Sequence, residues 1–585
     1  MASKRLRFAI LIALVALGAA GVAAAARGSG TPGKFELRPG AGQEVDRNIP
    51  STHSKSNAPR IVPGQASAIA SSNPGEFGFT GVTFQNHRDA DNGNQTSDTP
   101  PDQGLCAGSG EVIEPVNTTF SIYSTSGQLA SGPTSLTVFF TGQHEIDRSA
   151  NPPTFGPFLT DPRCYFDPAA HRFVMTILQV PFTSDGNFFN GRSDVLIAVS
   201  NGSNPTTNPA DWTFFKLNTT DDGGPSNDGS GNIMPDNPGC PCFGDQPLLG
   251  ADKYGIYITT NEFSTLGPEF NGAQVYAISK SALFSGSLKY QAFHGAPIPL
   301  AEGFAYSLQP AASPSAADWN TDNHGTEYLL SALDFDATTD NRIAVWALTN
   351  TKSLDDPTPA VTMTAPSIVA SETYGQPPNA QQKKGPVPFG NSLGEREEQL
   401  ATNDDRMNQV VLAAGKLWSG VNTVIRTSNG ASASTDRSGI AYFVVTPSTP
   451  SATTVAGTIA KQGYVALGNN DNVFFPSIGV NSAGQGVMTF SIAGQHYFPS
   501  AGYTTLDAVH GAGPVHIAAA GAAPTDDISG YQAFGGDGVA RWGDYSAAVA
   551  DANGSIWIAT EFIPGGFGFP QYLNNWGTFV GNVTP

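Results

Sequence analysis

"RWGDYSAAVADANGSIWIATEF", residues 541–562, decides how the rest of the chain is read. An apolar run from Ser546 to Ala550 is followed by a polar turn, Asp551 to Gly554, and a second apolar run from Ser555 to Thr560. Two short β-prone runs around an Asn-Gly pair predict a hairpin, because both residues of that pair tolerate positive φ. The same stretch carries Arg541, Asp544, Tyr545 and Glu561, so it is also the first place to look for chemistry.

The unit recurs. "PPDQGLCAGSGEVIEPVNTTFSIY" from Pro100, "TDPRCYFDPAAHRFVMTILQV" from Thr160 and "FGDQPLLGADKYGIYITTNEF" from Phe243 repeat it. "SLQPAASPSAADWNTDNHGTEYLLSALDF" from Ser307, "EEQLATNDDRMNQVVLAAGKLW" from Glu397 and "FFPSIGVNSAGQGVMTFSIAG" from Phe474 follow. Their leading residues are Asp102, Asp161, Asp245, Gln309, Gln399, Pro476 and Asp544. Between the hairpins lie runs such as "SDVLIAVSN" and "NRIAVWALT", suited to outer strands. A repeat of four strands that cannot bury both its faces alone predicts an all-β fold, a β-propeller over residues 76–585. Seven copies predict seven four-stranded blades, with six or eight as the alternatives. "YLNNWGTFVGN", near the end, is expected to supply the strand that closes the ring with the first blade.

Composition fits this class. Gly (66) and Pro (44) are abundant and only 13% of residues are charged, which suits turns and strands better than helices. A net charge of −20 argues against a nucleic-acid partner, which requires a basic face, and favours cations and solubility. Residues 1–26 have the layout of a signal peptide: Lys4, Arg5 and Arg7, an apolar core from Phe8 to Val22, then Ala23 to Ala26. No later segment is apolar enough to span a bilayer, so a secreted, extracellular monomer is expected, with residues 27–75 as a flexible leader. Four cysteines in an exported chain suggest disulfides. Cys240-Pro241-Cys242 looks too tight for an easy mutual bridge, which makes Cys106–Cys164 the expected pair.

The hairpins from Pro100, Gly244 and Arg541 resemble the blade motifs of large secreted bacterial β-propeller proteins, most of which have no assigned activity. The resemblance runs from about Gly81 onwards and speaks to fold rather than function. A narrower resemblance is to sialidases. It would make Tyr545 a nucleophile assisted by Glu561, with Arg163, Arg396 and Arg541 as a carboxylate clamp, since Arg suits bidentate binding. "PRIVP", residues 59–63, is similar to the sialidase Arg-Ile-Pro motif, but the Asp boxes are degenerate.

Asp102, Asp161, Asp245 and Asp544 occupy matching places in the repeat and should ring a central channel. Carboxylates at one radius repel unless a cation or backbone N–H groups intervene, so the ring is a candidate cation site before a catalytic one. "DADNGNQTSD", from Asp89 through Asp91 to Asp98, is a candidate calcium loop, as are residues 219–228 and 334–341, although such residues also serve ordinary turns. Zincin, Gly-x-Ser-x-Gly and phosphate-loop motifs are absent. The reading favoured by the sequence is a non-catalytic extracellular module that recognises carbohydrate or protein and requires no cofactor, with calcium as a candidate ligand. The alternative is a secreted glycoside hydrolase or polysaccharide lyase.

Overall fold

The computed structural model describes residues 63–64, 69–70, 76–95, 98–181, 191–223, 240–265, 270–294, 298–300, 303–334, 338–427, 436–468, 470–565 and 573–585. The signal peptide, the "PRIVP" residue Arg60 and most of the expected leader lie outside them. The described chain is all-β. Seven stretches each form a four-stranded antiparallel unit: 106–135, 158–218, 242–293, 309–375, 410–465, 471–519, and 547–583 completed by 76–83.

Each unit begins with a leading strand. These are Cys106–Gly108, Phe158–Asp167, Cys242–Ala251, Gln309–Ala312, Val410–Ala413, Asp471–Val480 and Ala547–Ala550. Leading strands touch their neighbours in chain order, and the last also touches the first. Three of them approach closely enough to pair in parallel, through Ala251 with Ala312 and Ala312 with Val411. Such convergence needs small residues. A Cβ on Gly250 would lie 2.6 Å from the Ala311 carbonyl oxygen.

The core lies between units rather than within one. Along Arg172–Val180, Phe173, Met175 and Ile177 pack with Ile113 and Phe120 of the preceding unit. Val174, between them, packs with Ile256 and Ile258 of the following unit. Alternate side chains of a strand point to opposite faces, so this sheet is apolar on both. Trp212 and Trp346 are buried in the same way.

The opening hairpin pairs Ala547–Ala550 with Ile556–Phe562. Its turn is tightened by the Gly554 N–H donating to the Asp551 carbonyl at 2.9 Å. Gly554 takes φ +88°, whereas Asn553 is not left-handed and instead accepts from the Ser555 N–H and hydroxyl.

Three expectations about strands are corrected. The C-terminal strand Gly577–Val583 is the third strand of the last unit, and Glu76–Thr83 pairs with it as the fourth. Closure is therefore made by the N-terminal segment, whose Gly-rich sequence hid a strand. Within the leader, Pro63–Gly64 and Ile69–Ala70 pair in parallel with residues 426–427 and 515–516. Gln399 does not lead the fifth unit: Gln399–Leu400 pairs with Val539–Ala540, and the unit starts at Val410.

Two disulfides form, Cys106–Cys164 and Cys240–Cys242. The second overturns the reading of Cys-Pro-Cys as too tight, because its Cα atoms stand 4.6 Å apart, within the bridging range. Their loops differ greatly, with sequence separations of 58 and 2. Chain entropy then predicts about 4 kcal/mol from the first and about 1–2 kcal/mol from the second. Cys106→Ala/Cys164→Ala should accordingly lower the urea midpoint well below that of Cys240→Ala/Cys242→Ala; equal midpoints would refute the assignment.

Candidate functional site

The loops entering the leading strands converge on a polar centre. Three of the leading strands make the same local distortion at this end. The ladder skips from Thr160 to Arg163 and from Asp245 to Leu248, and the first bulged residue is left-handed: Asp161 at φ +57° and Gln246 at φ +48°. Phe475, at φ +57°, does the same in the sixth unit. Each is followed by a proline, which has no N–H to contribute to the ladder. By this register Gln246, not Asp245, matches Asp161.

Carboxylate oxygens of Asp102, Asp161 and Asp544 lie within 4.8 Å of one another. Asp102 is held by the Asp544 N–H at 2.6 Å and by Asn117 Nδ2 at 2.9 Å. Asn117 Oδ1 in turn accepts from the Asp161 N–H at 3.1 Å. Arg541 Nη2 donates to both oxygens of Asp544, at 2.9 and 3.2 Å. Asp245 is 7% exposed, and its Oδ1 is buried without a hydrogen-bond partner.

Burial, reinforced by neighbouring carboxylates, dominates the electrostatics. It raises Asp102 well above the usual carboxylate range, with Asp544 and Asp161 adding to the shift. Asp161 is pushed up to about 8 by burial and then by Asp245 and Asp544, and Asp245 to about 6, chiefly by burial. Arg541 and Arg163 pull the other way on Asp161.

Of the sialidase-like set, Arg163 and Tyr545 come into contact. Tyr545 is 3% exposed, and its hydroxyl donates to the Pro162 carbonyl at 3.0 Å. The Arg163 guanidinium lies over its ring, 3.2 Å from the centroid. Glu561 is buried in Ile556–Phe562, where it accepts from the Gly543 N–H, and burial raises it well above its ordinary value. Arg541 is committed to Asp544, and Arg396 is exposed beyond a short helix, Pro388–Leu393. The three arginines therefore form no clamp.

The loop from Asp89 to Asp98 also disperses. Asp89 accepts from Gln85 and Asp91 pairs with His144, while Asp98 is buried with its N–H toward His87. In the other two candidate loops, Asp340 pairs with Arg342, and residues 224–228 lie outside the described set.

One central residue went unread in the sequence. Arg406 is buried, ion-paired to Asp404 at 2.7 Å and bonded to Gln246, and burial pulls its guanidinium down to about 10. The dense "NDDR" at residues 403–406 was the available signal.

Beside this centre is a cavity of about 100 Å³ lined by residues of the leading strands and of the loops next to them, among them Gln103, Arg163, Gln309, Ser313 and Gln409. Gln409 is partly spent, donating to the Ala548 carbonyl at 2.7 Å.

No family model matches the chain, and no curated protein matches it. Among solved structures, it is similar to a protein of unknown function from Dyadobacter fermentans DSM 18053. That match has 12% identity over 73% of this chain and 94% of the other, with a TM-score of 0.33. It is also similar to the Trypanosoma rangeli sialidase bound to the inhibitor DANA (8% identity, 79% and 57% covered, TM-score 0.29). A third is an exo-β-1,3-galactanase from Clostridium thermocellum (9% identity, 74% and 79% covered, TM-score 0.26).

The Asp161 shift has a definite sign. The unfolded chain ionises near 3.8 and the folded one near 8, so between these values the folded chain keeps a proton that the unfolded chain releases, and stability falls as pH rises. Asp161→Asn should therefore gain stability over the parent from pH 4 upward, levelling off above pH 8, by a few kcal/mol in a chelator-containing buffer. Melting curves from pH 4 to 9 check this, and a pH-independent difference would refute it.

Proposed function

We propose that this chain is an exported seven-bladed β-propeller that recognises extracellular carbohydrate without cleaving it. The closed order of leading strands supports seven blades, and the N-terminal strand Glu76–Thr83 supports ring closure in the last one. The layout of residues 1–26 supports export and work outside the cell.

The observation that carries the non-catalytic reading is Tyr545. A nucleophile needs a free oxygen and a base within hydrogen-bond reach. The Tyr545 oxygen is instead buried against the Pro162 carbonyl, under Arg163. The axial cavity, at about 100 Å³, is smaller than the roughly 300 Å³ at which ordinary ligand pockets begin. Only the tip of a ligand would enter it, meeting the amides of Gln103 and Gln309, while the remainder would be read by surrounding loops.

The exported protein should bind at least one immobilised glycan saturably and release no fluorophore from a panel of fluorogenic glycosides, sialosides included. Tyr545→Phe should keep that binding and cost about 1 kcal/mol of stability, the worth of one hydrogen bond. Release of fluorophore that Tyr545→Phe abolishes would establish the hydrolase instead.

A further inference from the structure

We propose that Asp102, Asp161 and Asp544 form a calcium site that pins the first, second and last units together at the centre of the ring. The three carboxylates come from loops distant in sequence, and Asp102 and Asp544 stand 442 residues apart. Their oxygens lie within 4.8 Å of one another. That is twice the roughly 2.4 Å of a calcium–oxygen bond, so one ion can touch all three.

A gathering of acids is not a site by its own nature, and here two further oxygens point to a ligand. Asp245 Oδ1 is buried without a partner on a side chain 7% exposed, at the bulge of the leading strand Cys242–Ala251, which abuts Phe158–Asp167 and its Asp161. Glu561 Oε2 is likewise buried without a partner, on a side chain 2% exposed beside Gly543, the residue before Asp544. Leaving such atoms unsatisfied costs roughly 1–3 kcal/mol each, more when charged.

The charge count also asks for a divalent ion. Four aspartates face two neighbouring guanidinium groups, Arg541 on Asp544 and Arg163 over Tyr545. Arg406, the third arginine, is taken up by Asp404. With all four aspartates ionised, the form in which they would bind a cation, the excess is two negative charges, before Glu561 is counted. Every donor is an oxygen, which selects a hard cation and disfavours zinc or copper. Magnesium holds its ligands at 2.0–2.1 Å in a strict octahedron and fits the wider spread less well.

Such an ion would act on the seam between the last unit and the first. It would convert mutual repulsion among Asp102, Asp161 and Asp544 into a shared attachment. Binding to the folded state alone stabilises by mass action, so the effect should follow calcium concentration.

The test uses the full exported protein, stripped with chelator and titrated with calcium chloride in a calorimeter and in thermal melts. One equivalent should bind, and saturating calcium should raise the melting temperature by at least about 2 °C, with magnesium giving less than half of that. Asp161→Asn separates this from a merely structural cluster. It should melt above the parent without calcium, because repulsion is relieved, and below it with calcium, because the site is lost. Asp91→Asn, in the Asp89–Asp98 loop, should keep the full calcium response. The proposal is overturned if the parent shows no binding heat up to 10-fold above ordinary extracellular calcium (roughly millimolar). It is equally overturned if Asp161→Asn responds to calcium as the parent does, or if Asp91→Asn abolishes the response.

Discussion

The seam between residues 547–583 and residues 106–135 is the junction on which the ring depends. Every other pair of neighbouring units is tied by a chain that leaves one and enters the next. Here the tie is Glu76–Thr83, which completes the last sheet and then runs on into the first. Glu114, buried in the first unit, accepts from the Val82 N–H and the Thr578 hydroxyl, and so joins three separate segments. The bond from the Asp544 N–H to Asp102 adds a fourth link at the centre. Removing the N-terminal strand would expose the edge of Gly577–Val583 and leave Glu114 buried without its partners, a far larger cost than losing one edge strand elsewhere.

Convergence at the centre follows from two-faced burial. Sheets apolar on both sides must each have two neighbours, and a row of them satisfies every member only by returning on itself. The leading strands then crowd together, which explains why Gly250 has no room for a Cβ and why Ala311 and Ala312 sit at the parallel contacts. Small residues bring backbones close, and the strand-entry loops bring carboxylates close with them. Asp161 and Gln246 reach inward because a bulge before a proline turns the chain there. The charged centre is thus a by-product of that convergence, which Arg541 and Arg163 neutralise in part.

Local signals were the legible ones. The turn at Asp551–Gly554 follows from Asn-Gly, and the leading aspartates follow from their repeated place before an apolar run. Gln399 misled because "QL" after charged residues looks like a strand start, while the true start lies at Val410, beyond the Asp404–Arg406 pair. The closing strand was invisible because pairing between residues 76–83 and 577–583 leaves no mark in either segment alone. The same holds for the site. Asp102, Asp161 and Asp544 could be grouped by repeat position, but the stacking of Arg163 on Tyr545 joins segments that share no pattern. Asp245 was grouped with the others by spacing, and the bulge register moves it one place aside.

The Arg163–Tyr545 contact also bears on what the centre can do. A guanidinium stacked on a ring contributes about 0.5–2 kcal/mol, and the hydroxyl bond to Pro162 about 1 kcal/mol more. Freeing Tyr545 to attack a substrate would forfeit both, and would leave the Pro162 carbonyl unpaired beside the bulge at Asp161. Gln103 and Gln309 ask for no such rearrangement, since they already line the cavity. A ligand meeting these amides would disturb none of those contacts, whereas chemistry at Tyr545 would have to break them.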